Sequence, residues 1–137
     1  MLRALRWVDA SGKVRGVLAS YPCHPTSLGP LNRQLSGDYP GFLRRALERA
    51  WEAPCVFATG CAGDLNTGQA ASASFATGGG DAGRTMADSE RFGETLAQSM
   101  LAGTWTPCAD ASAAWDTTCV TLQQVPLDAD PAGLRAG

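Results

Sequence analysis

One histidine serves the whole chain, and it stands in the stretch Tyr21-Pro22-Cys23-His24-Pro25-Thr26-Ser27-Leu28-Gly29. Imidazole is the side chain best suited to proton transfer and metal ligation near neutral pH. Proline fixes its own φ and biases the residue before it towards extended geometry, so Cys23 and His24 lack the freedom of an ordinary loop. A second stretch, Gly60-Cys61-Ala62-Gly63-Asp64-Leu65-Asn66-Thr67-Gly68, offers a carboxylate and an amide in a glycine-rich turn. It lacks the GK[ST] ending of a phosphate loop and is not a GxSxG elbow, so nucleotide binding and serine-hydrolase chemistry of that type are not supported. An imidazole beside Asp64 and Asn66 suits either a metal site with supporting partners or a hydrogen-bonded structural cluster. On spacing alone, a strand-end histidine satisfied by backbone partners is favoured over a ligand, and Asp64 can simply cap its turn.

The elements around these stretches have readable patterns. Residues 3 to 8 and 14 to 21 read as two strands of a hairpin about the turn cluster Asp9-Ala10-Ser11-Gly12. The second is nearly continuous in small and apolar residues, which suits a strand covered on both faces. A helix follows, with Asp38 as N-cap and Pro40 in the first turn. Tyr39, Phe42, Leu43, Ala46, Leu47, Ala50 and Trp51 form its apolar face. Arg44, Arg45, Glu48, Arg49 and Glu52 form its solvated one. Pro54 to Thr59 reads as a buried strand, parallel to the second through the helical crossover. Gln69 to Thr85 reads as a long loop. A second helix spans about Asp88 to Ala102, with Thr85 and Asp88 in a capping box and a stripe of Phe92, Leu96 and Met100 with Gly93, Ala97 and Leu101. Trp115 to Val125 reads as an edge strand, and Pro126 to Gly137 as a fraying tail. The fold class is therefore α/β, a mixed sheet with helical crossovers. In such a sheet, sites gather beyond the carboxyl ends of parallel strands. His24 and the Asp64/Asn66 turn would then emerge at one edge.

Composition narrows the function classes. A chain of 137 residues, 45% apolar and 18% charged, suits one globular domain. Net charge is −2 and Lys13 is the only lysine. No basic stripe points to nucleic acid, and no basic amphipathic helix points to a membrane surface. Five cysteines without a CxxC pair read as buried thiols. A metal site built from His24 with Cys23, Cys55 and Cys61 matches no familiar ligand spacing. The first residues hold no long apolar run, so no signal peptide is expected in this chain: cytoplasmic as it stands, secreted if a signal lies upstream. No segment is long and apolar enough to span a bilayer.

The pieces in order are Tyr21-Pro22-Cys23-His24-Pro25-Thr26, Leu31-Asn32, Ser36-Gly37-Asp38-Tyr39-Pro40-Gly41 and Val56-Phe57-Ala58-Thr59-Gly60-Cys61-Ala62-Gly63-Asp64-Leu65-Asn66. This combination resembles the neutral/alkaline, non-lysosomal ceramidase family over about residues 3 to 103. The resemblance implies a zinc-dependent amidase that cleaves the N-acyl bond of ceramide to sphingosine and a fatty acid. It implies zinc held by two histidines, a glutamate and a tyrosine, with His24 in the place of one histidine. The turn at Gly63-Asp64-Leu65-Asn66-Thr67 corresponds to one that carries a catalytically implicated serine. Asn66 stands there instead. It is no nucleophile but can donate a hydrogen bond to a carbonyl oxygen. Asn66 and Asp64 are thus the catalytic candidates and His24 the metal candidate.

The family's catalytic domain is several times longer, and its other ligands lie upstream and downstream of the matching stretch. The expectation is a fragment: residues 1–104 a partial catalytic domain, residues 105–137 an edge strand and tail of the same domain. It would be inactive alone, with uncovered strand edges and poor solubility. The substrate would be ceramide or another N-acyl lipid or amide. The competing expectation is a non-catalytic scaffold or binding protein derived from the same fold.

Overall fold

The structure, a computed structural model, describes residues 1–68 and 84–108. The elements in order are β1 (Arg3–Val8), β2 (Val14–Tyr21), α1 (Asp38–Trp51), β3 (Cys55–Thr59) and α2 (Met86–Leu101). The chain divides into two units, Met1–Trp105 and Thr106–Gly137, and every described element belongs to the first. The edge strand expected over 115–125 and most of the loop expected over 69–85 lie outside the described residues.

The sheet order is β1-β2-β3, with β1 antiparallel and β3 parallel to β2. Asp9 makes the hairpin turn by side-chain chemistry. Its carboxylate accepts from Ser11 N–H at 2.8 Å, Ser11 Oγ at 2.6 Å and Lys13 N–H at 3.1 Å, and pairs with Arg15 at 2.7 Å. These side-chain bonds reinforce the backbone bonds of the turn, from Gly12 N–H to the Asp9 carbonyl and from Asp9 N–H to the Lys13 carbonyl, both at 2.9 Å. The parallel pairing sets Tyr21 beside Thr59, so both strands end at one edge.

The helices cover one face of the sheet. Val17 and Ala19 of β2 and Cys55 of β3 pack with Leu43 and Leu47 of α1 and with Ala97 and Met100 of α2. Helix α2 starts with the expected capping box: Thr85 accepts from Asp88 N–H, and the Asp88 carboxylate accepts from Thr85 N–H. The helices meet closely at Gly93, where a methyl group would lie 2.5 Å from the Tyr39 carbonyl oxygen. Arg6 of β1 reaches across to the rings of Trp51 and Trp105, 5.6 and 4.0 Å from their centroids. That contact ties β1 to the end of α1 and to the segment that follows α2.

Four local expectations are corrected. Asp38 is not the N-cap. That position is Gly37, α1 has no side-chain cap, and the Asp38 carboxylate turns back to the 27–28 loop. The buried stripe of α2 is Ser89, Gly93, Ala97 and Met100, with Leu101 left 38% exposed. At Gly93 the stripe has no side chain because α1 approaches too closely there for one. Ala50 of α1 is exposed, past the end of the buried face. Finally, β2 and β3 are covered on one face only among the described residues. Leu5, Trp7 and Val56, at 46, 47 and 63% exposure, lie on the other face. A continuous apolar run signals what a strand can bury, not what lies against it.

Candidate functional site

The edge where β2 and β3 end brings the two chemically loaded stretches together. Gly60 N–H bonds to the Tyr21 carbonyl at 3.4 Å, and Gly60 lies against Pro22 so closely that a Cβ there would sit 3.1 Å from the proline Cβ. A side chain at this position would press on Pro22, so the loops pass here with little room to spare. Beyond that crossing, His24 N–H donates to the Leu65 carbonyl at 3.1 Å. His24 Nε2 lies 2.9 Å from the Gly63 carbonyl oxygen. Thr26 Oγ1 donates to Asn66 Oδ1 at 2.5 Å, across 40 residues of sequence.

These bonds fix the state of both side chains. A carbonyl oxygen only accepts, so His24 Nε2 carries a proton and the lone pair of the neutral ring is on Nδ1. The Asn66 oxygen is occupied by Thr26 and by the Thr67 N–H at 2.9 Å. Its amide nitrogen is thus the end left to donate elsewhere. The neighbouring Thr67 hydroxyl is buried with no hydrogen-bond partner among the described residues. Asp64 is exposed, on the turn that supplies the Gly63 carbonyl. Of the sequence candidates, His24 and Asn66 are stitched to the opposite loop, whereas the Asp64 side chain is bonded to neither among the described residues.

A buried polar network lies beneath this edge, and the sequence reading missed most of it. Tyr39 is fully buried and donates to the Cys23 carbonyl at 2.6 Å. Its ring meets Tyr21, Phe57 and Phe92 edge to face. Burial pushes its hydroxyl well above the ordinary tyrosine range, so it stays a donor. Burial also raises the Cys23 thiol, whose Sγ lies 3.7 Å from the His24 carbonyl oxygen. The Asp38 carboxylate accepts from Ser27 N–H and Leu28 N–H at 3.1 and 3.0 Å, from Ser27 Oγ at 2.5 Å and from Tyr39 N–H at 2.7 Å. Ser27 Oγ lies 2.8 Å from Ser89 Oγ of α2. The one Ser27 proton is committed to the carboxylate, so the Ser89 hydroxyl donates. An open cleft of about 300 Å³ adjoins this network, lined by Thr26, Asn32, Gln34, Ser36, Asp38 and Arg84 among others. The missed signal was the pairing of Ser27 with Asp38, hidden because Asp38 also reads as a helix start.

His24 has one feature of a metal ligand: its other ring nitrogen donates to a backbone carbonyl, which orients the ring. The rest of a ligand set does not follow. Among the described residues no three His, Cys, Asp or Glu side chains come together. A catalytic zinc takes three protein ligands. His24, Cys23, Cys55 and Cys61 do not come together as a site either: Cys23 and Cys55 are buried with their sulfurs on backbone carbonyls, while Cys61 is exposed. The described residues therefore do not fit a zinc ion by themselves.

No family model and no curated protein matches the chain. Among solved structures it is similar to the neutral ceramidase from Pseudomonas aeruginosa, with 22% identity and a TM-score of 0.54 over 71% of this chain. The match spans 15% of that protein. The α/β arrangement of three strands and two helices is thus the fold of one part of a neutral ceramidase.

Proposed function

We propose that this chain is part of a zinc-dependent, ceramidase-like amidohydrolase. In it, His24 serves as one of the zinc ligands and Asn66 as a hydrogen-bond donor to the carbonyl oxygen of an N-acyl substrate. One observation carries the reading. The loops after two parallel strands are stitched so that His24 Nδ1 and the Asn66 amide nitrogen are the groups left open at that edge. The fold of the neutral ceramidase supports it, as does the ordered set of motifs. Ceramide or another N-acyl lipid is the proposed substrate, and Asp64 a further catalytic candidate on the same turn. The remaining ligands would have to come from outside the described residues, so the chain alone is inactive in this reading.

The test has two arms. The purified chain should bind zinc well below one equivalent and release no fatty acid from an N-acyl sphingosine. If the source DNA continues in frame, the longer product should carry zinc and hydrolyse the amide, and His24→Ala should abolish both. Turnover with stoichiometric zinc in this chain alone would overturn the proposal, as would a longer product indifferent to His24→Ala. A non-catalytic derivative of the fold is the competing reading. The single histidine favours it, and a longer product without zinc or turnover would establish it.

A further inference from the structure

We infer that Asp38 is a positioning residue for His24, acting through the backbone of the loop that carries the imidazole. The inference deepens the proposed function only by taking His24 as the working group, and its test reads the imidazole itself rather than zinc or turnover.

Asp38 is a carboxylate only 8% exposed, and burial of a charge is tolerated only where hydrogen bonds replace water. Here two oxygens collect four donors. Three of them belong to Ser27 and Leu28, a few residues beyond His24. The adjacent residue, Tyr39, holds the other flank through the Cys23 carbonyl. Two consecutive residues at the start of α1 thus clamp both ends of the segment Cys23-His24-Pro25-Thr26-Ser27-Leu28. Within the clamp, Thr26 N–H closes on the His24 carbonyl at 2.9 Å, and the imidazole reaches Gly63.

Helix formation does not account for this arrangement. A capping carboxylate would sit in extended geometry and accept from the second or third helical N–H. Asp38 instead has φ of 52°, a left-handed conformation uncommon outside glycine, asparagine and aspartate, and α1 goes without a side-chain cap. Strain of this kind persists where the surroundings over-determine it, and it concentrates where geometry matters to a site. Ser27 also ties the clamp to Ser89, so α2 braces it from behind.

The chain's single histidine makes the test unambiguous. In tag-free protein labelled with ¹⁵N-histidine, the imidazole nitrogens report His24 alone. At alkaline pH the wild type should show the Nε2–H tautomer. Asp38→Asn tolerates the positive φ but places an N–H where an acceptor is needed. Asp38→Gly keeps the φ and removes the clamp. Both should shift the nitrogens towards the averaged values of free imidazole while keeping a cooperative melt. Asp9→Asn, in the distant hairpin turn, should leave them unchanged. A folded Asp38 variant with wild-type nitrogens would overturn the inference, and so would a wild type already averaged. If neither Asp38 variant folds, Ser27→Ala removes one arm of the clamp and is read the same way: a partial shift supports the inference, and no shift overturns it.

Discussion

Gly93→Ala should destabilise the protein although alanine is the better helix former. In α2 the substitution gains about 1 kcal/mol of helix propensity. The added methyl would lie 2.5 Å from the Tyr39 carbonyl oxygen, 2.8 Å from the Leu43 nitrogen and 2.8 Å from the Phe42 Cβ. The first two are backbone atoms of a helix and cannot rotate aside. Reaching even 3.0 Å needs a separation of about 0.5 Å between α1 and α2, and relaxed contact at 3.4 Å needs about 0.9 Å. That movement loosens Leu43, Leu47, Ala97 and Met100 together. Overpacking typically costs about 1–3 kcal/mol, and with no flexible neighbour to yield, the upper half applies. The net loss is about 1–2 kcal/mol. For a unit of this size it lowers Tm by about 4–16 °C. Thermal denaturation followed by circular dichroism measures it, with the exposed Gln98→Ala as a control near wild type. A Gly93→Ala protein that melts at or above the wild type would refute the packing argument.

Acid should weaken the fold at its two aspartate turns. Asp9 is held down to about 2, first by Ser11 and then by Arg15, and Asp88 is lowered first by the Thr85 hydroxyl. Depressed carboxylates contribute stability that is complete above their ordinary 3.8 and is lost as pH falls through the folded values. Denaturant midpoints should therefore drop between about pH 4 and pH 2, less so in Asp9→Asn/Asp88→Asn protein; equal slopes would count against it. Thiol labelling at mildly alkaline pH, mapped by peptide, should modify exposed Cys61 well before Cys23 and Cys55, which are buried and raised in pKa. Early modification of Cys23 would contradict its place under the His24 loop. Val56→Lys should raise soluble yield and reduce binding of apolar dyes without lowering Tm, because Val56 is 63% exposed on the uncovered sheet face. A loss of Tm would mean that this face is covered in solution.

Most of the fold could be read from periodicity and turn chemistry. The hairpin was legible from two short strand-like runs about the turn cluster Asp9-Ala10-Ser11-Gly12, the crossover from a helical stripe between two apolar runs, and the start of α2 from Thr85 and Asp88. The meeting of His24 with the Asn66 turn also followed, because parallel strands joined by a helix end at the same edge. Asp38 was misread because its local context, a carboxylate before Tyr39-Pro40, is also that of an N-cap. Only the fold brings Ser27 within reach and makes the loop the better partner. The Leu101 error has a similar source. Apolar residues at helical spacing mark a stripe, but which of two neighbours is buried depends on where the helix is covered: Met100 is 5% exposed and Leu101 38%. The uncovered face of β2 and β3 was not legible, since a strand's composition does not say what else packs on it.

The cost of the edge bears on which functional reading is favoured. A fold that needed only to bury Leu43, Leu47 and Tyr39 could cap α1 in the ordinary way and leave the 24–28 loop to solvent. This chain instead buries a carboxylate, holds Asp38 at φ of 52° and leaves α1 without a side-chain cap. A buried carboxylate and a left-handed non-glycine residue each cost free energy, of order 1–3 kcal/mol for the backbone strain alone. Their return is not a larger core. It is a loop fixed at both flanks, a histidine with one nitrogen committed to Gly63 and an asparagine with its oxygen committed to Thr26. A scaffold that merely displayed this surface would gain the rigidity of the loop, but nothing from which atoms are left open. Chemistry at His24 Nδ1 and at the Asn66 amide nitrogen would, since both depend on which end of each side chain is left open.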